Sequence, residues 1–220
     1  MAALTWDNNG ERLYETGVNQ VALFVTDSAG AYPKGVAWNG VTAVNENPEG
    51  AESSDLYADN EVYLSLTSAE KMKASLSAYT YPDEFGVCDG SVEPVAGVSI
   101  GMQSRRVFGL AYITKHGNDL DGNDAGEKLH ILWGLKAAPS SREYATINDS
   151  PEAIEFSWEM TSTPVSVSGF KKTSILTFDS LKCDATKYEA LKAVVYGDAT
   201  HEARLPLPDE CLSLMGYTAP

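Results

Sequence analysis

The stretch AIEFSWEMTSTPVSV, running from Ala153 to Val167, alternates with period two. Ile154, Phe156, Trp158 and Met160 fall on one side of an extended chain, and Glu155, Ser157, Glu159 and Thr161 on the other. A helix would spread these apolar residues around its circumference, and aromatic side chains suit a pleated surface better. The stretch therefore predicts a strand with one buried and one wetted face. Asn148-Asp149-Ser150-Pro151 reads as the turn that starts it, and Pro164 weakens its far end.

Working outward, VNQVALFV (Val18 to Val25) reads as the first strand of the body, behind a polar leader whose residues 1–9 form a free arm. VAWNGVTAV (Val36 to Val44) is a second strand, with Trp38 as its anchor and Gly40 at a bulge. Asn45 to Asn60, NENPEGAESSDLYADN, is rich in acid, Pro, Gly and Ser and has no period, so a long exposed loop is expected there. Glu61 to Thr80 holds two strand-like runs, EVYLSL and EKMKASLSAYT. A helix over Ser68 to Leu76 competes with the second run, but Met72, Leu76 and Ala78 lie opposite Lys71, Lys73, Ser75 and Ser77, which favours a strand.

Pro82 to Gly101 carries turn signals and reads as irregular. RRVFGLAYITKH and EKLHILWGLKA flank GNDLDGNDAG and predict a hairpin, apolar enough to be covered in part on both faces. FKKTSILTF (Phe170 to Phe178) is a further strand. The one expected helix is Asp184 to Tyr196, capped by Asp184, striped by Tyr188, Leu191 and Val195, and closed by Gly197. The prolines of LPLPDECLSLM limit residues 206–220 to an edge strand or an arm. The sum is a single domain over residues 1–220, mainly β: an antiparallel sandwich or partly closed barrel with one flanking α-helix.

Composition narrows the function. Thirty-one acidic residues against sixteen basic ones give a net charge of -15, which repels nucleic acid. No apolar run is long enough for a membrane helix, and MAALTWDNNGERLYETG lacks the basic start and apolar core of a secretory leader, so a protein made and kept in a cytoplasm is expected. Three cysteines, Cys88, Cys183 and Cys211, show neither disulfide nor zinc spacing and read as reduced packing residues.

The constellations that could carry chemistry are weak. Gly97-Val98-Ser99-Ile100-Gly101 matches a nucleophile elbow, and Asp179 or Asp198 with His201 would complete a hydrolase order. That motif needs a strand before it and a helix after it, and Ser99 leads toward another strand. Asp119, Asp121 and Asn123 imitate a calcium loop, but Asp124 stands where glycine is required and His130 where the closing acid should be. His116 and His130 could meet across the hairpin, yet two imidazoles without a further ligand make a poor metal site. No catalytic residue, cofactor or metal is therefore expected.

In YPKGVAWNGVTAVNENPEGAE, YLSLTSAEKMKASLSAYTYPDEF, RRVFGLAYITKHGND, KLHILWG and YATINDSPEAIEFSWEMTSTPV the chain resembles the major tail protein of long-tailed phages, especially those of Gram-positive bacteria. The resemblance is co-linear and covers Tyr32 to Pro208. It implies a tail tube protein: hexameric rings of this chain stack into a hollow tube that conducts DNA without binding it specifically. It also implies a tail-tip initiator complex, a tape measure protein and a tail terminator as partners, no membrane contact, and residence in the virion tail after assembly in the host cytoplasm.

Acidic walls would let DNA slide, and Glu155 and Glu159 are the lumen-facing candidates. The alternative for both is cross-strand pairing with Lys71 and Lys73. Glu46, Glu49, Glu52, Asp55 and Tyr57 of the expected loop, together with the two termini, are candidates for contacts between subunits. The competing readings are a terminator or receptor-binding tail component, a serine hydrolase using Ser99 and His201, and a secreted adhesive sandwich, which the absent leader disfavours.

Overall fold

A computed structural model describes residues 3–147, 149 and 153–218. The alternating stretch forms a strand over Phe156–Ser162, where Trp158, Met160 and Ser162 are buried and Ser157, Glu159 and Thr161 exposed. Ile154 falls before this strand and is 38% exposed, so the buried side starts at Phe156. The expected turn at Asn148-Asp149-Ser150-Pro151 lies largely outside the described residues, with Asp149 alone described.

In chain order the strands are β1 (Tyr14–Val25), β2 (Gly35–Ala37), β3 (Val41–Glu49), β4 (Ser53–Ala58), β5 (Glu61–Thr67), β6 (Lys71–Ala78), β7 (Val92–Val95), β8 (Val98–Ile100), β9 (Phe108–Asn118), β10 (Gly122–Ala137), β11 (Phe156–Ser162) and β12 (Ile175–Asp179). The helices are α1 (Gly86–Asp89), α2 (Ala185–Tyr196) and α3 (Pro208–Leu214). One eight-stranded sheet runs β2-β1-β9-β10-β11-β6-β3, with β12 also paired to β10. All its ladders are antiparallel. The hairpins β4–β5 and β7–β8 stand apart from it as two-stranded sheets.

The long strand β10 makes this path possible by changing partners. Residues Lys128 to Leu132 pair with β12, whereas Leu135 to Ala137 pair with β11. Between them Gly134 adopts φ +67°, and a Cβ built on it would stand 2.1 Å from the Thr163 carbonyl oxygen. Only glycine fits both the left-handed backbone and the close approach.

Both faces of the β9–β10 ladder are covered, as its near-continuous apolar sequence predicted. Phe108, Leu110 and Tyr112 of β9 enter one core with Trp38, Leu76, Phe85, Leu132, Trp158 and Met160. Ala111 and Ile113 enter the other with Leu129, Ile131, Trp133 and the helix residues Tyr188, Leu191, Val195 and Cys211. In the first core Phe85 lies 4.5 Å from Trp38 and 5.1 Å from Trp158, centroid to centroid. Such tilted and edge-to-face aromatic contacts add about 0.5–1.5 kcal/mol each beyond area burial. Helix α2 matches its sequence signals: the Asp184 side chain accepts from Lys187 N, and Tyr188, Leu191 and Val195 are buried.

Several expectations are corrected. Gly40 sits in a turn at φ +73° that separates β2 from β3. Residues 45–60 form no loop: β3 continues to Glu49, and β4 opens a hairpin, because Asn45 to Glu49 find register on Ser75 to Lys71 of β6. The strand preferred over a helix for Ser68 to Leu76 is present as β6, with Ala74, Leu76 and Ala78 buried. Residues 82–101 contain α1 and the β7–β8 hairpin. Within Phe170 to Phe178 the strand starts only at Ile175. LPLPDECLSLM is neither edge strand nor arm. Pro208 takes the first position of α3, where its missing N–H costs nothing, and Cys211 is buried.

Candidate functional site

The outward face of β3, β6 and β11 is built from short and polar side chains. Ser157, Glu159 and Thr161 oppose Ser77, Ser75 and Lys73, which in turn oppose Ala43, Asn45 and Asn47. β6 is thus the neighbour that pairing of the strand carboxylates with lysine required, but Lys73 Nζ lies 2.7 Å from Glu49 on β3 instead. Glu159 is exposed on this face, and the exposed Glu155 accepts a hydrogen bond from the Thr42 hydroxyl.

The β4–β5 hairpin is exposed along its whole length. Val62, Leu64 and Leu66 share one face by strand alternation, and Leu56 pairs directly with Leu64. Tyr57 and Tyr63 are 71% and 77% exposed. Its base is closed by Ser68 N donating to Glu52 O and Glu52 N donating to Ser68 Oγ. Val92, Val95, Val98 and Ile100 are likewise exposed on β7–β8.

Of the expected contact residues, Asp55 and Tyr57 project from β4, Glu52 lies at the hairpin base and Glu49 is paired with Lys73. Glu46, exposed on β3 with its side chain 34% accessible, accepts a hydrogen bond from the Tyr112 hydroxyl.

Around Glu46 the interior of the curled sheet turns polar. Along one face of β9 the side chains run Phe108, Leu110, Tyr112, Thr114, His116, from apolar to polar. The imidazole of His130 stacks on Tyr112 at 4.7 Å and 6°. Its Nδ1 lies 3.4 Å from Glu46 Oε1, and its Nε2 3.5 Å from Glu15 Oε1 and 2.9 Å from the Thr114 hydroxyl. Glu15, from β1, also receives Lys128 Nζ at 2.5 Å and the Thr114 hydroxyl at 2.6 Å. His116 is buried with both ring nitrogens lacking a hydrogen-bond partner among the described residues, and its Nε2 is 3.9 Å from Glu15.

The His130 hydrogen bond, aided by Tyr112, holds Glu46 below the usual carboxylate range against burial and the nearby Glu15. Burial pushes Glu15 up, but the hydrogen bonds and charge of Lys128, with Thr114 and His130, outweigh it and leave Glu15 lowered. Burial, then Glu46, raises the Tyr112 hydroxyl. The two histidines do share a face of the hairpin, as their spacing allowed, yet no group of three or more His, Cys, Asp or Glu suited to a metal occurs among the described residues. Glu15 and Glu46 were not legible as members, since they come from strands remote in sequence; the signal available was the polar end of the β9 face.

The hydrolase residues are placed differently. Ser99 lies in the middle of the exposed β8, not on a strand-to-helix turn. His201 Nδ1 lies 3.0 Å from Asp198, but Asp198 is engaged in a local turn with Thr200 N and His201 N. Asp179 accepts from Leu181 N. At the hairpin tip, Asp119 accepts from Gly10 N and Asp124 pairs with Lys115, so these carboxylates serve the tip. A groove of about 580 Å³ beside β1 and β2 contains one titratable side chain, Tyr196. Cys88 and Cys211 are buried, and burial pushes both thiols up to about 12, far from reactivity.

No protein-family model matches the chain, and no curated protein is significantly similar to it. Among the described residues no helix is long and apolar enough to cross a membrane.

Proposed function

We propose that the chain is a structural subunit that polymerises, forming hexameric rings stacked into a phage tail tube through which DNA is delivered. The observation that carries this reading is the β4–β5 hairpin, exposed on both faces with Leu56, Val62, Leu64 and Leu66 along it. An isolated two-stranded hairpin is marginal in water, and apolar side chains gathered on one of its faces are covered economically only by another surface. A second copy of the chain supplies that surface in any head-to-tail stack, because heterologous contacts that do not close produce open assemblies.

Two further features agree with the reading. The exposed face of β3, β6 and β11 is polar, carries Glu159, and belongs to a chain of net charge -15, properties suited to a wall past which DNA slides. Exposed residues 3–9, which include Leu4 and Trp6, offer a second element for contacts between copies. In this reading a tail-tip complex starts assembly, a tape measure protein sets its length and a terminator ends it.

The test is electron microscopy of the purified chain over a concentration series, paired with light scattering, on the whole protein and on a variant lacking residues 53–67. Rings or hollow striated tubes from the whole chain, and folded monomers from the variant, are expected. Equal polymerisation by both would remove the hairpin from the mechanism.

A further inference from the structure

We propose that the Glu46–Tyr112–His130–Glu15 cluster is an acid-sensitive latch that closes the open seam of the curled sheet and holds the base of the β4–β5 hairpin. The sheet path ends at β3 on one side and at β1 and β2 on the other, and no ladder joins β3 to β1. What a closed barrel would achieve with backbone hydrogen bonds is achieved here by side chains. The His130 ring, carried by β10, has a β3 carboxylate 3.4 Å from one nitrogen and a β1 carboxylate 3.5 Å from the other. The ring therefore lies between the two strands that lack a ladder.

The surroundings make the latch depend on charge. Facing Glu46 are Tyr112 from β9 and His130 from β10, with the charge of Glu15 from β1 nearby, while Met72 and Ala74 of β6 bring no titratable group; Glu15 in turn faces Lys128, His130 and His116. Both carboxylates have folded-state values below the usual range. Groups depressed in this way contribute stability that is present above the unfolded carboxylate value, about 4.3, and is lost as pH falls through the folded value. Protonating Glu46 removes the charge-assisted acceptor of Tyr112 and His130. Protonating Glu15 removes the charge that receives Lys128 Nζ and the Thr114 hydroxyl.

The consequence is local. β3 leads within four residues into β4, so release of Glu46 loosens the hairpin's attachment while β9 and β10, covered on both faces, stay closed. Hydrogen exchange on the full chain, corrected for intrinsic rates, reads this directly. Between pH 7 and pH 3.5, protection of residues 41–49 should fall about tenfold or more while that of residues 108–113 and 129–133 is retained. Glu46→Gln should lower protection of residues 41–49 already at pH 7 and flatten its pH dependence. Tyr112→Phe, which keeps the ring and removes the hydroxyl, provides a second reading if Glu46→Gln does not fold. Parallel loss of protection in β3 and β9–β10, or unchanged β3 protection in both variants, overturns the latch.

Discussion

The β9–β10 ladder and the β4–β5 hairpin are both antiparallel pairs joined by a turn, yet the first is covered on both faces and the second on neither. In β9 apolar residues stand side by side, so each face of the ladder has its own core. In β5 they alternate, and the face holding Val62, Leu64 and Leu66 meets solvent. The same ladder geometry thus serves two ends. Where both faces are buried, the pair contributes stability to its own chain; where neither is, its apolar side chains stay exposed. Hydrogen bonds between strands do not distinguish the cases, since each exchanges water bonds for protein bonds at little net gain.

The contrast can be broken or sharpened by substitution. The largest effect is expected on the covered side: Trp158→Ala empties the space among Trp38, Tyr81, Phe85 and Phe156. It should destabilise the chain by about 3–5 kcal/mol in denaturant unfolding. A loss below about 1 kcal/mol would mean that the aromatic core does not carry the fold. Gly134→Ala comes next. The left-handed backbone and the Thr163 carbonyl oppose a Cβ there, so a loss of about 1–3 kcal/mol is expected, with exchange increasing first where β10 hands over to β11. On the uncovered side Leu64→Ser should leave monomer stability within about 0.5 kcal/mol by thermal melting, while abolishing the tubes that the proposed assembly predicts, as read by electron microscopy. A large loss of monomer stability would show that the hairpin packs on its own chain after all.

How far the sequence carried depended on whether a residue's partners were local. The strand nature of Phe156 to Ser162 rested on alternation within seven residues, and the helix from Ala185 on the Asp184 cap and a spacing of three to four; both are properties of neighbours along the chain. The stretch NENPEGAESSDLYADN read as a loop because its side chains carry no apolar period, whereas its strand pairing comes from β6 and β5, which its own sequence does not contain. LPLPDECLSLM misled in a similar way. Its prolines excluded helix interior but not the first helical position, and only the burial of Cys211 and Leu205 shows which applies.

The candidate sites divide along the same line. The outward position of Glu159 follows from strand parity alone, as do the exposed positions of Asp55 and Tyr57 once β4 is known. Glu46 does not. Its sequence neighbours Asn45 and Asn47 face water, and parity turns it toward Tyr112, 66 residues away, and His130.

A β-rich chain, its acidic charge, the capped helix and the two-sided apolar hairpin were all readable from the residues in order, because composition and periodicity are local quantities. Only the folded arrangement sets that β10 changes partners at Gly134, that two hairpins stand free of the main sheet, and that Glu15 and Glu46 both reach His130. Those outcomes depend on which strands become neighbours in space, and a strand's periodicity says which side faces inward without saying what waits there.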